Sequence, residues 1–144
     1  MKSEQLEENQ KKKEYLSGYL KAKRKEQRIL DQIQQLRMDK MFPGIQYSDM
    51  PGGSGNMSDL SDFAVKMEEL MDLLKCKSGD CDSTKHKIIR RIDCMHDDVE
   101  RDVLTLRYVQ LKSWEEIKSE LNISSIRQTF RVHGRALNNF TISD

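Results

Sequence analysis

The residues best suited to recognising a ligand are three arginines near the C-terminus. Arg127, Arg131 and Arg135 follow one another at steps of four, and no acidic residue occurs between Ser124 and Phe140. At about 100° per residue, these steps place the three side chains on one side of a helix. Arginine forms bidentate hydrogen bonds with guanine and pairs with phosphate. The spacing therefore predicts a helix that can bind DNA.

The opposite side of this helix is apolar, which predicts that it packs on a core. The residues of this apolar arc are Ile126, Thr129, Phe130, His133, Ala136, Leu137 and Phe140. We expect His133 to be a packed histidine bonded to a backbone group, and not a catalytic one. Gln128 and Asn138 lie with the arginines, and glutamine can read adenine. A solvated basic face on an ordinary packing helix gives the same pattern, so periodicity alone leaves both interpretations open.

Three capping patterns predict the helices that would position these arginines. Each joins a cap residue to a Glu or Gln three positions later: Asp97 with Glu100, Ser113 with Glu116, and Ser125 with Gln128. The first opens a helix reaching Tyr108, with Val99, Val103, Leu104 and Leu106 as its apolar residues. The second opens a short helix, 114–121, in which Trp114 is the core anchor. The third runs to about Phe140, which completes the outline of a helix-turn-helix.

The preceding residues are also helical in pattern, with one clear interruption. Both prolines and four of the seven glycines fall between Phe42 and Asn56, which predicts a loop. A second, weaker break is expected at 77–80. The arm before the loop carries a coiled-coil-like seam of Tyr15, Tyr19, Ala22, Ile29, Ile33 and Leu36. A second apolar stripe consists of Leu60, Phe63, Ala64, Met67, Leu70, Met71 and Leu74, and a third of Ile88, Ile89, Ile92 and Met95.

These elements predict an all-α protein in four segments, since sustained period-2 alternation is missing. They are an N-terminal helical arm (1–41), a Gly/Pro-rich loop (42–57), a coiled-coil-like helical spacer and oligomerisation region (58–96), and a helix-turn-helix DNA-binding domain (97–144). The arm and the 60–74 stripe would leave apolar seams exposed on a lone chain. We therefore expect a homo-oligomer formed through arm and spacer.

Composition limits the classes of function. The 144 residues carry a net charge of +1, so no global field attracts the chain to nucleic acid or to an acidic membrane. Charge is nevertheless uneven, with 11 basic and 7 acidic residues in 1–40 against 2 and 6 in 41–75. Arm and second helix can pair through opposite charge, or these charges are ordinary solvated faces.

No run reaches the roughly 18 apolar residues of a membrane span. The start lacks the apolar stretch of a signal peptide, and three cysteines favour a reducing cytoplasm.

Other chemistry has weaker support in the sequence. The candidate zinc ligands are Cys76, Cys81, His86, Cys94 and His96, but their spacing differs from that of common structural zinc sites. We expect idle or buried thiols and no metal or other cofactor. A phosphate-binding glycine loop between a strand and a helix, a nucleophile elbow and an HExxH motif are all missing from the sequence, so we do not expect an enzyme.

Three segments of the C-terminal region carry a family resemblance. The runs 103–108 (VLTLRY), 113–117 (SWEEI) and 131–137 (RVHGRAL) are similar to region 4 of bacterial sigma factors. They resemble still more closely the ArpU-type phage proteins, which regulate late transcription in phages of Gram-positive hosts. Tyr15-Leu16 and Met50-Pro51-Gly52-Gly53 extend this resemblance over most of the chain. The turn at 122–125 is one residue longer than in sigma factors, so Ser124 and Ser125 are both candidate caps.

The resemblance implies a late-gene activator in the cytoplasm of a bacterial host. It would bind double-stranded promoter or operator DNA through the helix 125–140 and contact host RNA polymerase. Arg127, Gln128 and Arg131 are then candidates for base edges, and Lys112, Ser113, Ser125 and Arg135 for phosphates. The full set of candidate DNA-binding residues also includes Ser124 and Asn138.

A different class of protein fits the same sequence. A coiled-coil structural or adaptor protein would use its helix-turn-helix to dock a protein partner, and a phage packaging protein would bind packaging-site DNA. The acid-free face of Arg127, Arg131 and Arg135 separates these possibilities, because an adaptor does not require it.

Overall fold

The computed structural model describes residues 2–41 and 56–142, and this part of the chain contains helices and no strand. Its six α-helices are α1 (Lys2–Leu16), α2 (Gly18–Met41), α3 (Asn56–Asp93), α4 (Asp98–Leu104), α5 (Trp114–Glu120) and α6 (Ile126–Asn139). A π-helical turn, Thr105–Val109, extends α4. The all-α prediction is confirmed. Of the predicted loop 42–57, residues 42–55 lie outside the described residues, and Asn56 already belongs to α3.

The chain forms two compact units. The terminal unit comprises Met1–Ala22 together with Cys81–Asp144, and the central unit is Lys23–Asp80. The boundaries therefore differ from the four segments drawn on the sequence, because the N-terminal arm is shared between the units. A turn at Ser17 separates α1 from α2 within that arm.

Two apolar clusters hold the terminal unit together. Buried residues of the first cluster are Leu16, Tyr19, Cys81, Ile88, Ile92, Met95, Leu104, Tyr108, Ala136, Leu137 and Phe140. This cluster joins both ends of the chain. The second contains Val103, Leu106, Ile117 and Val132, with Trp114 and Leu121 packed against it. Because α4 with its π turn contributes to both clusters, it forms the shared wall between the N-terminal helices and the α5–α6 pair.

The Lys12 ammonium group of α1 is buried at the C-terminal end of α6. Its Nζ donates hydrogen bonds to the carbonyl oxygens of Leu137 (2.8 Å) and Asn138 (3.4 Å). The last turn of α6 contains no basic residue of its own. Lys12 therefore supplies the positive charge that stabilises the carbonyl end of a helix. Its partner on the other side is Glu8, whose carboxylate lies 3.7 Å away.

A second polar contact ties the start of α4 to the end of α6. The Asp97 side chain accepts a hydrogen bond from the Glu100 amide, as the capping pattern predicts. The Glu100 carboxylate, however, does not return to the cap. It is buried and accepts hydrogen bonds from the Asn139 side-chain amide at 2.9 and 3.1 Å. The predicted reciprocal box is therefore wrong in its second half. Val99 lies within this helix, as predicted, but its side chain is exposed, whereas Glu100, Val103 and Leu104 are buried.

The central unit is an antiparallel pair formed by α2 and α3. The Lys40 ammonium lies 4.7 Å from the centre of the Phe63 ring, and Leu36 lines a groove together with Leu70. Ile29 and Ile33 are buried at 6% and 5% exposure. The two seams therefore cover one another in part within one chain, whereas Leu60 and Met71 of the 60–74 stripe stay exposed, as expected for a lone chain.

The predicted break at 77–80 is wrong, because α3 continues through it to Asp93. A glycine inside a helix costs only about 1 kcal/mol relative to alanine. Ile88 and Ile92, about two and a half and three and a half turns beyond the glycine, are almost completely buried, and their packing offsets that cost. Gly79 itself has open space around its α-carbon.

Replacing Lys12 by methionine should destabilise the terminal unit. The variant keeps the length of the side chain but leaves the α6 carbonyl groups without their charged donor, which should lower the free energy of unfolding by about 2 kcal/mol. Lys11→Met is the matched control, since Lys11 is exposed on the same helix. Urea unfolding followed by circular dichroism measures both. Equal stability of the two variants would contradict a structural role for Lys12.

Candidate nucleic-acid interface

Helix α5 begins with a complete capping box. The Ser113 hydroxyl accepts a hydrogen bond from the Glu116 amide at 3.3 Å, and the Glu116 carboxylate accepts one from the Ser113 amide at 2.8 Å. This confirms the predicted start of the helix. Ile117 is fully buried on its inner side, whereas Glu115 and Glu116 face outward.

The turn between α5 and α6 has the geometry of a Schellman motif. Asn122 adopts a left-handed conformation (φ 53°), which asparagine tolerates better than most residues. The Asn122 amide donates to the Ser119 carbonyl and the Ile123 amide to the Lys118 carbonyl. This pair of bonds ends α5 sharply and directs the chain into α6, so α5 and α6 form a helix-turn-helix.

Ser125, and not Ser124, is the N-cap of α6. Its hydroxyl accepts a hydrogen bond from the Gln128 amide at 3.2 Å. The Gln128 side chain does not complete a capping box, because its Oε1 accepts from the Ser124 hydroxyl at 2.8 Å. The two candidate caps thus have separate roles. Ser125 caps the helix backbone, and Ser124 bonds to the Gln128 side chain.

The exposed arc of α6 carries the predicted arginines. Arg127, Arg131 and Arg135 are exposed, and none of them forms an ion pair with any residue in 2–41 or 56–142. A groove runs beside them, lined by Gln128, Arg131, Val132, Gly134, Arg135 and Asn138. Positive charge along an open groove favours an anionic partner, and DNA phosphates present such charge at regular intervals.

The buried arc of α6 agrees with the sequence except at one position. Thr129, Val132, His133, Ala136 and Leu137 are buried. Phe130 was predicted to be internal, but 48% of its surface is exposed. Its ring meets only the edge of Trp114, at 5.1 Å between centroids, so it lies at the border of the buried and exposed arcs. Phe130 therefore adds an apolar group next to the arginines.

Two of the predicted DNA-binding residues are engaged elsewhere. The Lys112 ammonium pairs with the Glu120 carboxylate at 2.5 Å. The Asn138 side-chain oxygen accepts hydrogen bonds from Gln5 (3.2 Å) and Asn9 (2.9 Å) of α1. The remaining candidates converge on the first three turns of α6 and on its cap, apart from Ser113 at the start of α5.

His133 is buried behind the exposed arc, with the Tyr108 hydroxyl as its partner. Their hydrogen bond is 2.8 Å long, so the expectation of a backbone partner is wrong. Burial, helped by the positive charges of Lys13 and Arg107, lowers the pKa of His133 from 6.5 to about 4. Burial likewise raises the pKa of Tyr108 to about 12, against the opposing effect of Arg107. Both groups are therefore neutral at pH 7.

Arg107 is a residue whose role the sequence did not reveal. Its guanidinium lies 4.4 Å from the centre of the Trp114 ring and donates to the Lys112 carbonyl at 3.1 Å. It thereby fixes the segment between the π turn and α5, where Leu111 adopts φ 58°. Trp114 also meets His133 edge-on at 4.8 Å, as expected of a core anchor. The only hint of this stack in the sequence is that Arg107 precedes the aromatic residues Tyr108 and Trp114.

Within 2–41 and 56–142, no group of three or more His, Cys, Asp or Glu side chains is placed to hold a metal ion. Cys81 is buried, whereas Cys76 and Cys94 are exposed free thiols. None of the helices in the described ranges is long and apolar enough to cross a membrane.

Comparisons with protein-family models, with curated proteins and with solved structures found no match. The candidate interface is therefore defined by its own geometry: an arginine arc on the second helix of a helix-turn-helix, with a buried arc behind it.

The neutral state of His133 predicts a loss of stability in acid. Its pKa is lower in the folded chain than in the unfolded chain, so protonation favours unfolding as the pH falls from 6.5 towards 4. The free energy of unfolding should fall by about 2 kcal/mol between pH 7 and pH 5 through this group. His133→Gln should remove this part of the pH dependence, whereas His86→Gln, at an exposed position, should keep it. Parallel urea titrations at the two pH values test this, and an unchanged pH dependence in His133→Gln would refute it.

Proposed function

We propose that this protein is a sequence-specific double-stranded DNA-binding transcriptional regulator whose recognition helix is α6. One observation carries the proposal: Arg127, Arg131 and Arg135 are exposed along one arc of a helix whose opposite arc is buried. An α-helix of this kind fits the major groove, where its N-terminal half approaches the base edges.

The contacts divide by their place along α6. Arg127 and Arg131 are proposed to read guanine, and the free amide group of Gln128 to contact adenine. Phe130 is added to this set, because an exposed apolar ring beside the arginines can contact a thymine methyl group. Arg135 and the capped start of α6 are proposed to bind phosphates, which position the helix without specifying sequence.

The resemblance to ArpU-type proteins and to sigma region 4 extends the proposal to biology. On that basis, the chain is a phage or prophage late-gene activator that acts with RNA polymerase in the cytoplasm of a bacterial host. Binding as a homo-oligomer would bring two recognition helices to one DNA site, and the spacing of their half-sites would follow from that assembly.

The arginine pair should determine which duplexes the protein selects from a randomised DNA pool. The parent should enrich a motif, and Arg127→Ala/Arg131→Ala should lose it. Each good base contact is worth about 1–3 kcal/mol, so affinity for the motif should fall at least about tenfold. The slope of log affinity against log salt should change little in this variant, because the phosphate contacts are assigned to Arg135 and to the start of α6.

Lys87→Ala/Arg90→Ala is the matched control, because it removes two exposed positive charges from α3 instead. This control should still select the motif of the parent. If the parent selects no motif, or if both double variants lose binding equally, the proposal of base reading by α6 is wrong. An adaptor function through a protein partner would then replace it.

A further inference from the structure

The central unit leaves an apolar stripe exposed on both of its helices. The large hydrophobic residues of this stripe are Leu30 and Met41 on α2, and Leu60 and Met71 on α3. At about 100° per residue, the two residues of each helix fall within about 20° of each other, whereas the exposed Met38 lies on the far side of α2 from α3. On each helix this pair lies to one side of the residues that pack between α2 and α3, and Leu60 and Met71 are the uncovered edge of the 60–74 stripe.

The two sets point to the same side of the helix pair. The groove between α2 and α3 is lined by Gln32, Gln35, Leu36 and Asp39 and by Lys66, Glu69, Leu70 and Leu73. On each helix, the groove residues lie to one side of the residues that pack between α2 and α3. The exposed apolar residues lie to the other side. Because the groove residues of both helices share one face, the apolar residues share the opposite face. We call this face the methionine face.

We propose that the methionine face is the docking surface for a second copy of this chain. Charge decides between the possible arrangements. From Lys23 to Met41 the chain has six basic and three acidic residues, whereas from Asn56 to Asp80 it has three basic and six acidic. A two-fold dimer that places α2 of one copy against α3 of the other brings opposite charges together, whereas α2 against α2 brings like charges together.

This arrangement is a four-helix bundle with its two-fold axis parallel to the helices. Neighbouring helices are then antiparallel, and equivalent residues of the two copies lie at the same height. The Lys40–Phe63 contact fixes the heights of α2 and α3 relative to each other, and it places Arg37 nearly level with Glu68. Both are exposed and flank the methionine face, so Arg37 of one copy lies near Glu68 of the other. Methionine side chains adapt well to such a contact.

The proposal is independent of DNA binding, and it is tested on the full chain without DNA. Light scattering at tens of micromolar should give twice the chain mass of 16.9 kDa. Met41→Gln/Met71→Gln should raise the dimer dissociation constant at least about tenfold, because it makes both helices of the face polar. Val65→Gln is the control, since Val65 is exposed on a different side of α3 and should leave the mass unchanged.

Charge reversal tests the pairing of α2 with α3. Arg37→Glu and Glu68→Arg should each reduce dimerisation, because each places like charges opposite one another twice in a homodimer. An equimolar mixture of the two variants should recover the dimer mass, since the mixed dimer again pairs opposite charges at both places. Such recovery requires contact between two chains.

A monomeric parent would overturn the proposal, as would a mixture that stays monomeric. A monomeric parent that still selects a DNA motif would overturn this proposal alone and leave the proposed function intact. A dimeric parent that selects no DNA motif would leave this proposal intact and contradict the proposed function.

Discussion

The terminal unit depends on a positive charge buried at the end of its last helix. An ammonium group taken out of water costs several kcal/mol unless its hydrogen bonds are replaced. Lys12 meets this requirement through the carbonyl oxygens of Leu137 and Asn138 and the nearby Glu8 carboxylate. These acceptors set the position of Lys12 at the C-terminal end of α6. Apolar packing of Leu16 against the same cluster as Leu137 and Phe140 then makes the position stable.

This constraint explains how a helix of 14 residues can present three like charges in a row. Repulsion among Arg127, Arg131 and Arg135 opposes the helix, and its last turn contains no basic residue to stabilise the carbonyl end. The missing charge comes from α1, and the Ser125 cap satisfies the opposite end. The arginines can therefore face outward without any acidic neighbour on their own helix.

A second group of contacts fixes the rotation of α6 about its axis. His133 is neutral, bonds to Tyr108 and meets the edge of Trp114, while Arg107 covers another side of the same indole ring. These contacts lie directly behind the arginine arc. A change in the protonation of His133 would therefore disturb the contacts that support α6 behind its arginines.

The sequence predicted the local features of this structure and missed the long-range ones. Caps at Ser113 and Ser125 and the apolar periodicity of α6 follow from hydrogen bonding and burial within a few residues, so they could be read from neighbouring positions. The partners of Lys12 and Glu100 lie 125 and 39 residues away, and no local pattern specifies them. Gly79 misled the prediction for α3, because tertiary packing outweighed a local preference. Phe130 differs from its neighbours by only a small rotation, which a helical wheel does not resolve.

The most direct measurement of the central claim is a map of backbone amide chemical shifts on titration with a duplex recovered from the randomised pool. If α6 reads DNA, the largest changes will cluster between Ser125 and Arg135 and at the start of α5. Amides of the central unit will change little. Changes confined to the central unit, with α6 unaffected, would contradict the account of α6 as the recognition helix.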